Sequence, residues 1–288
     1  MRAGLLLLAA VLAGCSGGEG RYLVGEAYRM GGVWSYPRED FALVETGLAA
    51  RHAGPGWNAA TANGEAWSDG RALAAHRTLQ LPAVVVVTNL ENGRSMALRV
   101  NDRGPVQRGR VIGLSSRAAA LLGIPEGGTA QVRIAVDGER SRALAESAPG
   151  RPSPAVAIET APRATVASES LAPPPGARAA EGRSATPVRQ VSAEPSATVP
   201  ANIVLPEAVT QGAPMRGRLV VEAALLSNAD AAQRLAARVP GARVEALGTR
   251  RDRQYRVRLG PFDNVAAADA ALERTLAAGV SGARILVD

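Results

Sequence analysis

Three short strings in the first half of the chain decide its fold: TANGE at residues 61–65, AAHRTL at 74–79 and NDRGP at 101–105. Together they place an imidazole, His76, between two carboxylates, Glu65 and Asp102, in a chain with only two histidines. Imidazole and carboxyl groups are the side chains that most often exchange protons with a substrate. The strings therefore predict a catalytic site in the first half of the chain.

The residues around these strings predict a domain made mostly of β-strands. Three stretches have strand patterns: a continuous β-branched run at 81–88, a shorter run at 96–100 and an alternating run at 131–136. Asn92-Gly93 is a two-residue hairpin signal between the first two. Residues 115–122 predict a short helix with a serine cap that ends at Gly123. A six-stranded closed barrel with one or two short helices fits this pattern.

The strings resemble the core of the rare lipoprotein A family, bacterial lipoproteins that cleave the glycan strands of peptidoglycan as lytic transglycosylases. The resemblance covers nearly all of residues 21–137 and implies that this domain is a double-psi β-barrel, mainly β. It places the family's functional aspartate on Asp102. Glu65 and His76 match two further residues that the family is thought to need.

The implied reaction cuts the bond between N-acetylmuramic acid and N-acetylglucosamine without water. One carboxyl group protonates the departing oxygen and then accepts the proton of the muramic C6 hydroxyl, so that a 1,6-anhydro ring closes. Hydrolytic glycosidases generally divide this work between two carboxyl groups. We expect Asp102 to act first as this acid and then as this base. Glu65 could raise its pKa or bind a sugar hydroxyl, and His76 could donate a hydrogen bond to the substrate or move a proton.

Non-catalytic roles for the same residues are the alternatives. His76 could be a barrel histidine with satisfied hydrogen bonds, and Glu65 a solvated carboxylate in a turn. We expect Asn63, Arg103 and His52 to contact the substrate, since His52 lies where the family has an aromatic residue. A plain surface histidine is the alternative for His52.

One departure from the family bears on activity. Where the family reads Ile-Asp-Leu-Ser, this chain has Gly113 before Leu114-Ser115. A carboxylate is therefore missing at position 113. The alternative to an active enzyme is a non-catalytic outer-membrane lipoprotein that binds peptidoglycan, and a third reading is an expansin-like module that loosens glycan without cutting it.

The amino terminus predicts export and lipid attachment. Arg2 is followed by an apolar run at residues 5–12, too short to span a bilayer, and then by Leu12-Ala13-Gly14-Cys15. We expect residues 1–14 to be a lipoprotein signal peptide and Cys15, the only cysteine, to be acylated at the start of a short tether over 15–20. Because Ser16 follows, and not aspartate, we expect the outer membrane facing the periplasm.

The last part of the chain predicts a second domain beyond a linker. Residues 138–214 are rich in Pro, Ala, Ser and Arg and predict a disordered linker. Residues 215–288 predict a βαββαβ order, an α+β ferredoxin-like arrangement. That order and the string YRVRLGPF at 255–262 resemble the SPOR domain, which binds denuded glycan at the division septum. The resemblance makes Tyr255, Arg256 and Arg258 candidates for glycan contacts.

Composition narrows the partners. The formal charge of +7 comes from arginine alone, because the chain contains no lysine. The arginines are scattered without an aromatic and basic nucleic-acid motif, so we expect no nucleic-acid partner. Two histidines and one cysteine are a poor ligand set, so we expect no metal and no cofactor. We expect a monomer whose partners are peptidoglycan and, through the lipid, the membrane.

Overall fold

The fold is that of a computed structural model of the chain, which describes residues 20–56, 59–151, 205–249 and 251–288. The predicted signal peptide, Cys15 and most of the predicted linker lie outside these residues. No helix in the described ranges combines the length and the apolar character that crossing a bilayer requires.

The N-terminal part contains eight strands and two helices. The strands are β1 (Tyr28–Met30), β2 (Val33–Ser35), β3 (Val44–Arg51), β4 (Leu73–His76), β5 (Ala83–Asn89), β6 (Arg94–Asp102), β7 (Arg110–Leu114) and β8 (Thr129–Val136). The helices are α1 (Ser116–Leu121) and α2 (Gly138–Ser147).

Six of these strands close into a barrel, as predicted. Their order is β4-β7-β3-β8-β5-β6, and β6 pairs with β4 to complete the ring. The pairs β3 with β7 and β4 with β6 are parallel, and the other four are antiparallel. Closure removes free strand edges, so the backbone groups of every barrel strand find partners on both sides.

The barrel core is built from the apolar runs that the sequence displays. Fully buried side chains from β5, β6, β7 and β8 pack together inside it, among them Val85, Leu98, Ile112 and Ile134. The β5–β6 hairpin lies where predicted, but its loop has four residues, 90–93, instead of two, and Gly93 takes a positive φ of 80°.

Helix α2 corrects the predicted start of the linker. Asp137 caps it by accepting a hydrogen bond from the Arg140 backbone N–H, and Leu144 and Ala145 are buried. The Ser141 hydroxyl hydrogen-bonds with the backbone of Val84 in β5. The composition of this segment is mostly polar and predicts a linker. The helix is ordered because one of its faces packs on the barrel.

The far end of the predicted linker is also ordered. A short strand, β9 (Thr210–Gln211), pairs with the beginning of β6, and the Met215 backbone N–H donates to the Leu90 carbonyl. The described residues therefore shorten the predicted 138–214 linker at both ends.

The C-terminal module has the predicted βαββαβ order. Its elements are β10 (Leu219–Leu226), α3 (Ala229–Arg238), β11 (Arg243–Leu247), β12 (Gln254–Phe262), α4 (Val265–Ala277) and β13 (Arg284–Val287). The sheet order is β11-β12-β10-β13, with all pairs antiparallel. Asn228 and Asn264 cap the two helices by accepting from backbone N–H groups three residues on.

The barrel and this module belong to one compact unit. Arg110 of β7 is buried and forms two hydrogen bonds with Asp269 of α4, at 2.5 and 2.9 Å. Leu48 of β3 joins the apolar core of the module. A bidentate pair of this kind fixes orientation as well as distance.

Candidate active site

The three strings meet at one end of the barrel. Ala75 of β4 lies opposite Asp102 of β6 on one side and opposite Gly113 of β7 on the other. A register shift between Ala74 and Ala75 brings the last residue of β6 into this row. The parallel pairing of β4 with β6 thus places the AAHRTL and NDRGP strings side by side.

Asp102 is buried, with 6% of its surface exposed, and its carboxyl group has three partners. Oδ1 accepts hydrogen bonds from the backbone N–H groups of Ala62, at 2.9 Å, and Arg103, at 2.8 Å. Oδ2 lies 3.0 Å from Nε2 of His52. The turn formed by the TANGE string therefore contacts the predicted acid directly, through its backbone.

Glu65 takes part in a different cluster. Its oxygens accept from the Arg99 guanidinium, at 2.6 and 3.0 Å, and from the side-chain amides of Asn63 and Asn101, at 2.8 and 3.1 Å. Burial raises the pKa of Glu65, but the hydrogen bonds and charge of Arg99, together with the two amides, hold it below its usual range. The carboxylate is therefore ionised at neutral pH. The alternative of a solvated turn carboxylate is wrong.

The lowered pKa of Glu65 predicts a pH-dependent contribution to stability. A depressed folded-state pKa stabilises above the unfolded value, roughly 4.3 for glutamate, and that contribution is lost as the pH falls through the folded value. Glu65→Gln should cost about 1 to 3 kcal/mol near neutral pH, because Arg99 loses its charged partner.

Urea titrations at several pH values measure this difference. The gap in stability between the native chain and Glu65→Gln should shrink as the pH falls below about 4. Glu126→Gln is the control, since that side chain is 91% exposed. A gap that stays constant down to acid pH would contradict the assignment of Glu65 as an ionised partner of Arg99.

His76 is held by its own loop and by β3. Nδ1 accepts from the backbone N–H groups of Thr78 and Leu79, at 3.2 and 3.1 Å, so Nε2 carries the proton and donates to Glu45 at 2.8 Å. Burial raises the pKa of Glu45, but the hydrogen bond from His76 and the charge of Arg284 hold it below its usual range. These contacts are those of a satisfied barrel histidine, and a catalytic part for His76 stays a prediction.

A cleft of about 400 Å³ opens beside His76. Its lining includes His76, Glu45 and two exposed aromatic rings, Trp34 and Tyr36. Rings of this kind can stack on the apolar face of a sugar. Asp102 is absent from the lining, so the cleft accounts for His76 and its surroundings but not for the predicted acid.

Asn63 and Arg103, two residues predicted to contact the substrate, form hydrogen bonds within the protein, and their substrate contacts stay predictions. Asn63 is buried, where its amide bonds to the Glu65 side chain and accepts from Thr61. The Arg103 guanidinium donates to backbone carbonyls of Val24, His76, Arg77 and Leu79. Arg103 therefore ties the loop after β4 to the end of β6.

His52 lies against Asp102 and not on the surface. Its exposed fraction is 7%, so the surface alternative is wrong. The residue directly follows β3, and its backbone N–H donates to the Leu114 carbonyl at 2.8 Å. The aromatic ring of Trp67 packs edge-on against the imidazole with 4.9 Å between ring centroids.

Both parts of the chain match known protein families. Residues 50–134 match the family model described as "Lytic transglycolase", and residues 216–285 match the SPOR domain. A Pseudomonas aeruginosa protein (strain UCBPP-PA14) named "Endolytic peptidoglycan transglycosylase RlpA" is 36% identical over 256 residues, which cover 82% of this chain and 68% of that protein. The chain belongs to the RlpA family.

Some other members of the RlpA family match smaller parts of the chain. A Rickettsia bellii protein (strain RML369-C) with the same name is 40% identical over 119 residues, covering 40% of this chain and 52% of that protein. With the family established, the six-stranded barrel is a double-psi β-barrel and the C-terminal module is a SPOR domain.

The SPOR residues predicted to bind glycan are engaged with acidic neighbours. Arg256 lies 3.1 Å from Glu222, while Arg258 contacts Glu245 and Asp288. Val257 and Leu259 face the apolar core, and Tyr255 packs against it, so the two arginines share the other face, as predicted. Glycan contacts by these three residues stay predictions, and any arginine contact would compete with these ion pairs.

Sequence reasoning missed Glu45 and Arg99. Glu45 lies in β3 without a motif around it, and only the barrel brings it to His76. Arg99 precedes the NDRGP string by two residues, and an arginine alternating with apolar residues in a strand was the only signal available. Within the described ranges, no group of three acidic, His or Cys side chains is placed to hold a metal ion.

Proposed function

We propose that the chain is an endolytic lytic transglycosylase that cuts the bond between N-acetylmuramic acid and N-acetylglucosamine in peptidoglycan glycan strands. The observation that carries this proposal is the setting of Asp102. Three nitrogens surround its buried carboxyl group, at the point where all three family strings meet. Family membership supplies the reaction class.

Asp102 acts as acid and then as base. Its carboxyl proton passes to the glycosidic oxygen while the bond from that oxygen to muramic C1 breaks. The C6 hydroxyl oxygen then bonds to C1, and its proton returns to Asp102, so the carboxyl group ends as it began. A single positioned carboxyl group of this kind contributes about 10² to 10⁴ in rate.

The remaining motif residues position Asp102. Glu65 and Asn63 shape the turn whose Ala62 N–H holds Oδ1: Thr61 donates to the Glu65 carbonyl and the Glu65 N–H donates to Asn63. Across the barrel end, Arg103 secures the loop that follows His76. Pre-organisation by such a frame lowers the cost of reaching the productive geometry.

The two ends of the chain would locate this activity in the cell envelope. Acylation of Cys15 would anchor the protein in the outer membrane facing the periplasm, and the SPOR domain would hold it on denuded glycan, with enrichment at the division septum. The segment between them would let a monomer reach the wall. Attachment of this kind raises the local concentration of the barrel at its substrate without new contacts.

The products of digestion test the activity. Lipid-free protein is incubated with peptidoglycan that an amidase has stripped of stem peptides, and the soluble fragments are analysed by mass spectrometry. A transglycosylase releases fragments with 1,6-anhydromuramic ends, whereas a hydrolase releases reducing ends. If the protein binds glycan but releases no fragment, the proposed activity is wrong. The chain would then be a wall-binding protein that is inactive because it lacks a carboxylate at position 113.

A further inference from the structure

The imidazole of His52 reaches Asp102 across a row of small residues. His52 begins on the β7 side of the row, where its backbone N–H donates to Leu114. The row itself runs Gly113, Ala75, Asp102 across β7, β4 and β6. The ring crosses it and places Nε2 3.0 Å from Oδ2 of Asp102.

Two glycines leave the space that the ring occupies. A Cβ atom at Gly113 would lie 2.7 Å from the Cβ of His52, and one at Gly104 would lie 2.7 Å from Cε1 of the imidazole. Neither glycine has a positive φ, so backbone strain does not explain them. What both positions require is the absence of a side chain next to His52.

We propose that His52 is a positioning residue for Asp102 and that it takes the place of the carboxylate which this chain lacks at position 113. The inference rests on the proposed transglycosylase function and adds to it a residue specific to this chain. Where the family has an aromatic residue and an aspartate, this chain has a histidine and a glycine. In this chain, a Cβ atom at position 113 would collide with the Cβ and Cγ atoms of His52.

The chemistry of the pair suits a carboxyl group that must give and then take a proton. When Asp102 is ionised, Nε2–H of His52 donates to Oδ2. When Oδ2 carries the proton that passes to the glycosidic oxygen, its remaining lone pair can still accept from Nε2–H. In both states the hydrogen bond persists, and His52 keeps Oδ2 oriented through the whole cycle while Ala62 and Arg103 hold Oδ1.

Two substitutions of His52 separate this role from packing. His52→Phe keeps a ring beside Trp67 but removes the nitrogen, and it should lower kcat on denuded glycan by about tenfold or more with little change in KM. His52→Gln places an amide near the position of Nε2 and should recover most of that loss. Equal activity of His52→Phe and the native protein would overturn the proposal, as would equal losses in the two variants.

Position 113 gives an independent test. Gly113→Ala should displace the imidazole and lower kcat, whereas Gly70→Ala should not, since a Cβ there meets only the Ser68 hydroxyl at 3.7 Å. Gly113→Asp should lower activity alone and regain it when combined with His52→Gly, because this pair restores a carboxylate and removes the Cβ atom with which it would collide. A Gly113→Asp protein that is fully active with His52 in place would contradict the steric exclusion.

A measurement on the histidine nitrogens covers the case in which a variant does not fold. The chain has two histidines, so ¹⁵N imidazole signals are easily assigned. Asp102→Asn should change the ¹⁵N chemical shifts of the His52 imidazole and leave those of His76 unchanged. Unchanged His52 signals would contradict the pairing of His52 with Asp102. Absence of anhydro products from the native protein would overturn the proposed function itself, whereas an active native protein with an equally active His52→Phe overturns this inference alone.

Discussion

Asp102→Asn is expected to abolish the release of anhydro fragments while the protein stays folded and binds glycan. Asparagine keeps the shape of aspartate, so its Oδ1 can still accept from Ala62 and Arg103. Its amide can donate to His52 if the histidine moves its proton to Nδ1. Only the exchangeable proton is lost, and we expect a fall of about 10² to 10⁴ in kcat.

Product analysis and glycan pull-down measure the two halves of this result in the same preparation. Asp263→Asn is the matched control, because that carboxylate is 92% exposed and lies outside the barrel. Native-like release of anhydro fragments by Asp102→Asn would assign the acid to another group.

Leu98→Ala is expected to produce a large loss of stability in the barrel. The side chain is fully buried in β6, where it packs in the barrel core. Removing its outer carbons loses transfer free energy and leaves a cavity that neighbouring strands cannot close, and such changes cost about 2 to 5 kcal/mol. Because β6 ends at Asp102, the looser strand should also lower activity.

Tryptophan fluorescence during urea unfolding measures this loss. All three tryptophans, Trp34, Trp57 and Trp67, precede β4, so their signal reports on the N-terminal domain alone. Val44→Ala is the control, since that side chain is 55% exposed and its truncation should change stability by only about 0.5 kcal/mol. Equal midpoints for the two variants would show that the core has collapsed around the Leu98 cavity.

The regular elements could be predicted because local patterns specify them. The apolar β-branched run became β5, the serine before the alanines caps α1, and the two asparagines before the SPOR helices cap α3 and α4. Helix α2 could not be predicted, because its buried face is narrow and its other residues are charged. The face is buried because it packs against β5, where the Ser141 hydroxyl accepts from the Val84 backbone N–H.

The site could be predicted as a set of strings but not as a set of contacts. The strings identified Glu65, His76 and Asp102, yet each of the three has a separate partner: Arg99, Glu45 and His52 respectively. These partners lie 34, 31 and 50 residues away in the chain. Pairings over such distances depend on strand order, and strand order is a property of the closed barrel.

The sequence by itself determined the two-domain order and the family strings, because each of these depends on composition or on residues a few positions apart. Only the tertiary structure showed the role of Gly113. In the sequence it is a missing carboxylate, and in the barrel it is the space that lets His52 reach Asp102. The physical reason is that His52 directly follows β3 and Gly113 lies in β7, and these two strands become neighbours only through parallel pairing.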